Sequence, residues 1–490
     1  MKNHLILLFV ALSGHLFAGS LFNIRDFGAK GDGKTVDTPA INATIDAAAQ
    51  SGGGTVVFSS GTYLSYSIHL KSNITLQLEA GAVLLAASPT ETDGYDPAEP
   101  NATDQYQDFG HSHWHNSLIW GENLENVTIC GQGMINGTGL HRGDGHKLKD
   151  GIGNKAIALK LCKNVVLRNF KMWMGGHFAL LATGVDNLTI NNLTIDTNRD
   201  GMDIDCCRNV RISDCSVNSP WDDAIVLKAS YGLGFFRDTE NVTITNCFVS
   251  GYDKGTLLNG TYQNKDYETV PDKEPPTGRI KLGTESSGGF KNIAISNCVF
   301  QNCRGLALET VDGGALEDIV ISNITMRDIF NSPIFLRLGA RQRSPKNTPV
   351  GTLKRVSIDN VNVYNVDSRF ACLITGLPDH CIEDVSISNL RIVYKGGGTA
   401  ADAKAIVPEN EKGYPEPAMF GTIPASAFYI RHVRNIKLSN VEVSFMQPDF
   451  RPSIILNDVK GTKLSSLEIP VYNKAKSVVL QNSDKPLIAK

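Results

Sequence analysis

One phrase returns along this chain: Asn or Asp, then alternating apolar and polar residues, then Asn or Asp again. It reads Asn126-Val-Thr-Ile, Asn164-Val-Val-Leu, Asn187-Leu-Thr-Ile, Asn209-Val-Arg-Ile, Asn241-Val-Thr-Ile and Asn292-Ile-Ala-Ile, and continues as Asp318-Ile-Val-Ile, Arg355-Val-Ser-Ile, Asp384-Val-Ser-Ile and Asn435-Ile-Lys-Leu. Each copy has the period of two that a β-strand requires. Several are followed by a second short strand, such as Leu193-Thr-Ile195 or Val441-Glu-Val443. Asn187 to Asn209 is a step of 22 residues, and Asn292 to Asp318 a step of 26. Such steps suit one turn of a parallel β-helix with two or three short strands per turn. Propeller repeats of ~40–50 residues are too long for them, and a sandwich would not keep one phrase through ten copies. A chain of 490 residues would ordinarily divide into domains. A solenoid need not, because each coil packs only on its neighbours. The expected fold is therefore all-β: a single-stranded parallel β-helix.

The amino end supplies a cap. Thr38-Pro39 reads as the N-cap and first residue of a helix, with Ile41, Ile45, Ala48 and Ala49 as its apolar stripe and Asn42, Thr44 and Asp46 off it. A helix laid over the first coil protects its open edge. Loops at about 88–116, 257–278 and 396–425 interrupt the repeat and are placed to wall a cleft along one face.

Lys2 followed by the apolar run Leu5–Leu12 and the small residues Ala18, Gly19 and Ser20 reads as an export leader. The run is too short to span a bilayer. The expectation is a leader over 1–19 and one β-helix domain over 20–490, exported and periplasmic or extracellular, without membrane insertion and monomeric. Lys and Arg number 47 against 50 Asp and Glu, so no basic field exists to hold nucleic acid. Among ten Cys, Cys215, Cys247 and Cys298 recur at one point of the repeat and read as small buried thiols. No CxxC pair occurs, and neither a metal site nor a cofactor is expected.

Two motifs invite other readings. Gly28-Ala-Lys-Gly-Asp-Gly33-Lys34-Thr35 fits a phosphate-cradling loop. That chemistry needs a helix beginning at the Lys, and Pro39 starts the helix later, so the stretch reads as a turn into the cap. His111-Ser-His113-Trp114-His115 would place three imidazoles on one face of a strand. A sugar-binding lip or a plain surface loop is preferred there over a metal site.

Carboxylates concentrate in two successive repeats: Asn198-Arg-Asp200-Gly-Met-Asp203-Ile-Asp205, then Trp221-Asp222-Asp223-Ala-Ile-Val-Leu-Lys228. Asp200 and Asp222 are one repeat step apart, so they are expected on adjacent coils about 4.8 Å apart. Crowded carboxylates repel, and one keeps its proton near neutral pH. Glycoside hydrolysis needs that combination, an acid for the leaving oxygen and a base for water. Consecutive strand residues point to opposite faces, so Asp222 and Asp223 both line a cleft only if the chain bends after Pro220-Trp221. Asp203 and Asp205 read as structural or rim residues. His177, one coil earlier, is placed to donate to a bound sugar or to serve structure.

These residues carry a resemblance. Asn-x-Asp-Gly followed one coil later by Asp-Asp-x-Ile-x-x-Lys resembles glycoside hydrolase family 28, the polygalacturonases and rhamnogalacturonan hydrolases. Phe27-Gly-Ala-Lys-Gly-Asp-Gly33, Gly52-Gly-Gly-Thr-Val-Val-Phe58 and Ile129-Cys-Gly-Gln-Gly-Met-Ile-Asn-Gly137 agree with it. The resemblance implies a right-handed β-helix and inversion of configuration, with Asp222 as general acid and Asp200 and Asp223 as the pair that activates water. The substrate implied is a pectic polysaccharide or oligosaccharide.

The departures bear on specificity. The family's Gly-His-Gly is replaced by Thr277-Gly-Arg279-Ile-Lys281, and its carboxylate-binding Arg-Ile-Lys by Ala307-Leu308-Glu309. Asn198-Arg199-Asp200 replaces Asn-Thr-Asp. A branched or rhamnose-containing pectin is therefore expected rather than plain homogalacturonan. Lys228, Arg279 and Lys281 are candidate substrate-binding cations, and His177 a candidate hydrogen-bond donor. Arg337 and Arg341, further along, are as readily read as partners of acids on the stack. Two other functions fit the same chain: a calcium-dependent, pectate-lyase-type β-helix and a non-catalytic carbohydrate-binding solenoid.

Overall fold

The computed structural model describes residues 20–143, 146–265, 276–472 and 475–489. The expected leader, residues 1–19, lies outside the described residues, as does 266–275 of the loop at 257–278. The described chain forms one continuous parallel sheet of 36 strands wound as a β-helix. A typical coil runs Phe178–Thr183, Asp186–Asn191, Thr194–Asp196, and the next runs Asp200–Asp205, Arg208–Ser213, Ser216–Asn218. The three strands stack in register, with Leu180 opposite Met202, Leu188 opposite Val210 and Ile195 opposite Val217. In later coils the second and third strands merge, as in Ala315–Ile329, Thr352–Val366 and Ile382–Gly396.

The recurring Asn or Asp marks a bend at the start of a strand. At the ten repeat positions from Asn126 to Asn435, φ lies between 54° and 61°. Asn and Asp tolerate that left-handed conformation best among residues with a side chain. The side chains then bond along the stack: Asn164 Nδ2 donates to Asn126 Oδ1 at 3.0 Å, Asn187 to Asn164 at 2.9 Å and Asn209 to Asn187 at 3.2 Å. Arg355, the one member of the phrase that is neither, spans Asp318 with Nε 2.7 Å from Oδ1. The alternating apolar residues fill the interior, and Cys215, Cys247 and Cys298 are buried there as free thiols.

A helix over Thr38–Gln50 closes the amino end. It starts one residue earlier than expected: Asp37 is the N-cap, and Pro39 follows inside the first turn. Thr44 is buried rather than off the apolar stripe, because its hydroxyl donates to the Ala40 carbonyl at 2.7 Å. The Gly-rich stretch before the helix holds its own anions. Asp37 accepts from the backbone N–H of Lys30 and Gly31, and Asp32 from those of Lys34 and Thr35. Donors that would cradle a phosphate are thus occupied.

One face of the stack positions the site. Leu181, Asp203, Val226, Lys281, Ala307, Phe335, Leu373, Tyr429 and Ile455 lie in one register row. Their strand neighbours Ile204, Leu227 and Leu282 belong to the interior core, so the row faces outward. Two loops cover it from opposite ends. Trp114 packs on Ala158, Phe178 and Leu181. Phe420, Ile423 and Ala425 pack on Ala307, Phe335, Leu373 and Tyr429. The carboxylate-rich coils lie between these two coverings.

Candidate active site

Asp200 opens the strand Asp200–Asp205, and Asp222 and Asp223 lie in the bend that precedes Ile225–Ala229. The register of this pair is Met202 opposite Ile225, a step of 23, whereas the neighbouring strands keep a step of 22, Thr194 opposite Ser216. The extra residue is taken up at the bend. Asp223, not Asp222, is consequently level with Asp200, and the Gly201 N–H donates to the Asp223 carbonyl at 3.0 Å. Gly201 is required there. A Cβ on it would lie 2.4 Å from the Ala224 oxygen and 2.5 Å from Val217 Cγ1.

The bend brings all three carboxylates together. One oxygen from each of Asp200, Asp222 and Asp223 lies within 4.8 Å of the others. The triad is tighter than the ~6.5–9.5 Å that an inverting acid–base pair ordinarily spans, so the side chains do not splay across the cleft. The three environments differ. Burial, with Asp203 and Asp222 nearby, raises the Asp200 carboxyl well above the usual carboxylate range. Enclosure and the Asp223 charge raise Asp222. Burial alone would raise Asp223 also, but Lys281 and Arg279 outweigh it and hold this carboxyl below its ordinary value. Arg279 Nε donates to Asp223 Oδ1 at 2.9 Å, and Lys281 Nζ lies 3.5 Å from Oδ2. Asp222 retains 30% side-chain exposure and accepts from the Asp223 N–H at 3.0 Å.

Three clustered carboxylates could in principle hold a cation. Here Arg279, Lys281, Arg199 and Lys228 all bear on them, so the protein already supplies positive charge to the cluster.

The expected substrate cations are tied into networks. Lys228 Nζ lies 2.8 Å from His111 Nε2, 3.1 Å from Glu285 Oε2 and 3.3 Å from Asp203 Oδ2. Arg279 also bonds Glu416 through both terminal nitrogens. Lys281 Nζ lies 3.4 Å from Glu309 Oε2, and burial raises that carboxyl to about 7. Arg341 pairs with Asp312 at 2.5 Å, and Arg337 donates to the carbonyls of Gly376, Glu409 and Asn410. His177 is buried beside His111, with Nε2 unpartnered among the described residues, and burial and Arg199 hold its ring well below the usual range. Asp203 and Asp205 are fully buried. Asp203 bonds His111 and Lys228, and Asp205 accepts from the Ser230 N–H at 2.7 Å.

The histidine cluster is not a sugar lip. Phe109–Ser112 forms a 3-10 turn, so the imidazoles do not share a strand face. His111 meets Asp203, His113 meets Asp104 and His115 meets Glu122. Trp114 is fully buried, its indole N–H donating to Thr183 Oγ1 at 3.1 Å.

Two residues escaped the sequence reading. Glu416 comes from the loop at 396–425 and pairs with Arg279 and with Arg304 at 3.1 Å. Only the loop's composition signalled its approach. Arg199 stands inside the recognised motif, where it reads as a mild replacement, yet its Nε lies 3.8 Å from Asp222 Oδ2.

Residues 21–247 match the family model described as rhamnogalacturonase A/epimerase, pectate lyase-like. A probable polygalacturonase of Vitis vinifera is 26% identical over 403 residues, 76% of this chain and 74% of that protein. The chain resembles the family 28 glycoside hydrolases of the polygalacturonase type. An exo-poly-alpha-D-galacturonosidase of Dickeya chrysanthemi is 25% identical over 419 residues, 73% of this chain and 64% of that enzyme. The fold matches that of the Yersinia enterocolitica family 28 exopolygalacturonase with a TM-score of 0.64 at 18% identity, covering 96% of this chain and 78% of that one.

Proposed function

We propose that the chain hydrolyses a glycosidic bond in a galacturonate-containing pectic polysaccharide or oligosaccharide, with Asp222 as general acid and Asp223, supported by Asp200, as the base for water. Three carboxylates within 4.8 Å of one another, with Asp222 raised by burial and Asp223 lowered by Lys281 and Arg279, carry this reading. Asp222, raised and the most exposed of the three, gives its proton to the leaving oxygen. Asp223, kept ionised by Lys281 and Arg279, takes a proton from the attacking water. Asp200, whose carboxyl burial raises well above the usual range, supports that water from the neighbouring coil. Both Asp223 oxygens face cations, which keep it ionised and able to accept a proton, and the likeness to family 28 hydrolases, rather than the carboxylate spacing, is the ground for a single displacement that inverts the centre.

Specificity follows from the departures. Ala307 offers no donor, and Glu309, buried against Lys281, offers no cation to a carboxylate. Plain homogalacturonan is therefore a poor substrate, and rhamnogalacturonan or another branched pectin the better one. The reading of 1–19 as a leader makes the enzyme an exported one, its secreted form beginning near Gly19–Leu21.

Incubation with homogalacturonan and rhamnogalacturonan oligosaccharides, with products sized by chromatography, tests the proposal. Saturated products from the second and little from the first are expected. An ultraviolet-absorbing unsaturated product that a chelator abolishes would make the protein a lyase. Rapid random cleavage of long homogalacturonan would overturn the specificity.

A further inference from the structure

Most described cations around the triad are fully engaged. Lys228 meets two carboxylates and an imidazole, Arg279 meets Asp223 and Glu416, and Lys281 meets Asp223 and Glu309. Arg341 is held by Asp312. Arg199 is attached more loosely. Its Nη1 donates to the Gly143 carbonyl at 2.8 Å. Its Nε stands 3.8 Å from Asp222 Oδ2, beyond hydrogen-bond length. That N–H is buried and has no hydrogen-bond partner among the described residues, although the residue is only 9% exposed. A buried guanidinium N–H without an acceptor is costly, and its neighbour is the most open carboxylate of the triad.

We infer that Arg199 forms a carboxylate-binding subsite beside Asp222, where it reads an acidic sugar flanking the cleaved bond. The inference rests on the function proposed above and supplies the carboxylate recognition that Ala307 and Glu309 cannot. A guanidinium suits the task, because its planar fork matches a carboxylate with two parallel hydrogen bonds. The bound carboxylate also gives the orphaned Nε–H its acceptor. Asp222 cannot serve as that acceptor at 3.8 Å.

Arg199→Gln and Arg199→Lys test the subsite on matched pectic oligosaccharides, one set with free carboxylates and one fully methyl-esterified. Arg199→Gln is expected to raise KM for the acid by about ten- to a hundredfold, the range of charge-assisted hydrogen bonds. Its kcat should stay within a few-fold, and KM for the ester should barely move. Arg199→Lys should fall between, and it provides the same comparison if the Gln variant fails to fold. Equal losses on acid and ester, a loss in kcat alone, or an unchanged KM would overturn the subsite. A wild type inactive on every pectic oligosaccharide would remove the proposed function and the subsite together. A wild type that is active, with variants that leave the acid-to-ester ratio unchanged, would remove only the subsite.

Discussion

The ammonium of Lys281 lies 3.5 Å from Oδ2 of Asp223, one coil further along the stack. Its charge is the first of the influences that offset the burial of that carboxylate. Removing it in Lys281→Met leaves burial less opposed, so the Asp223 carboxyl rises. A base must be ionised to act, and a raised base is lost at a higher pH. The acidic limb of kcat/KM is therefore expected to move upward in pH, with a smaller change in KM. The pH–rate profile of variant and wild type checks this. A large KM effect with an unmoved acidic limb would restore Lys281 to the role of substrate ligand.

Glu416 fastens the loop at 396–425 over the cleft by bonding Arg279 and Arg304. Arg279 is 1% exposed, and without Glu416 its terminal nitrogens lose their acid. Breaking one side of a buried ion pair costs ~3–5 kcal/mol. Glu416→Ala is expected to lower the urea midpoint accordingly. A midpoint within error of wild type would show that the pair contributes no net stability.

Gly201 has no room for a side chain, since a Cβ would meet the Ala224 carbonyl at 2.4 Å. Gly201→Ala must push apart the two coils that carry the aspartates. Overpacking of this kind costs ~1–3 kcal/mol, and turnover should fall with the displaced carboxylates. Thermal unfolding and kcat, measured together, check both effects.

Much of this was legible in advance for a physical reason. Asn or Asp takes the left-handed bend in nine of the ten copies of the repeat, so the coil boundaries are largely written into residue type. Asp200, Asp222 and Asp223 stood out because strand alternation gives no cause to place two acids side by side. The exact register was not legible: one extra residue at the bend sets Asp223 level with Asp200, and short bends absorb such insertions without a sequence mark. The histidine cluster misled because a 3-10 turn breaks the strand periodicity that was assumed. The partners of Lys228, Arg279 and Lys281 include Glu285, Glu309 and Glu416, which come from later coils and a distant loop. Pairings at such separation leave no local pattern.

Turnover by Asp222→Asn on the wild type's best pectic oligosaccharide puts the acid–base assignment to the sharpest trial. Asn cannot give up a proton to the leaving oxygen, and the side chain is nearly the same size. Turnover is expected to fall ~10²-fold or more, as when a general acid is removed, with the unfolding temperature close to wild type. Turnover within a few-fold of wild type would contradict the role given to Asp222 and, with it, the mechanism built on the triad.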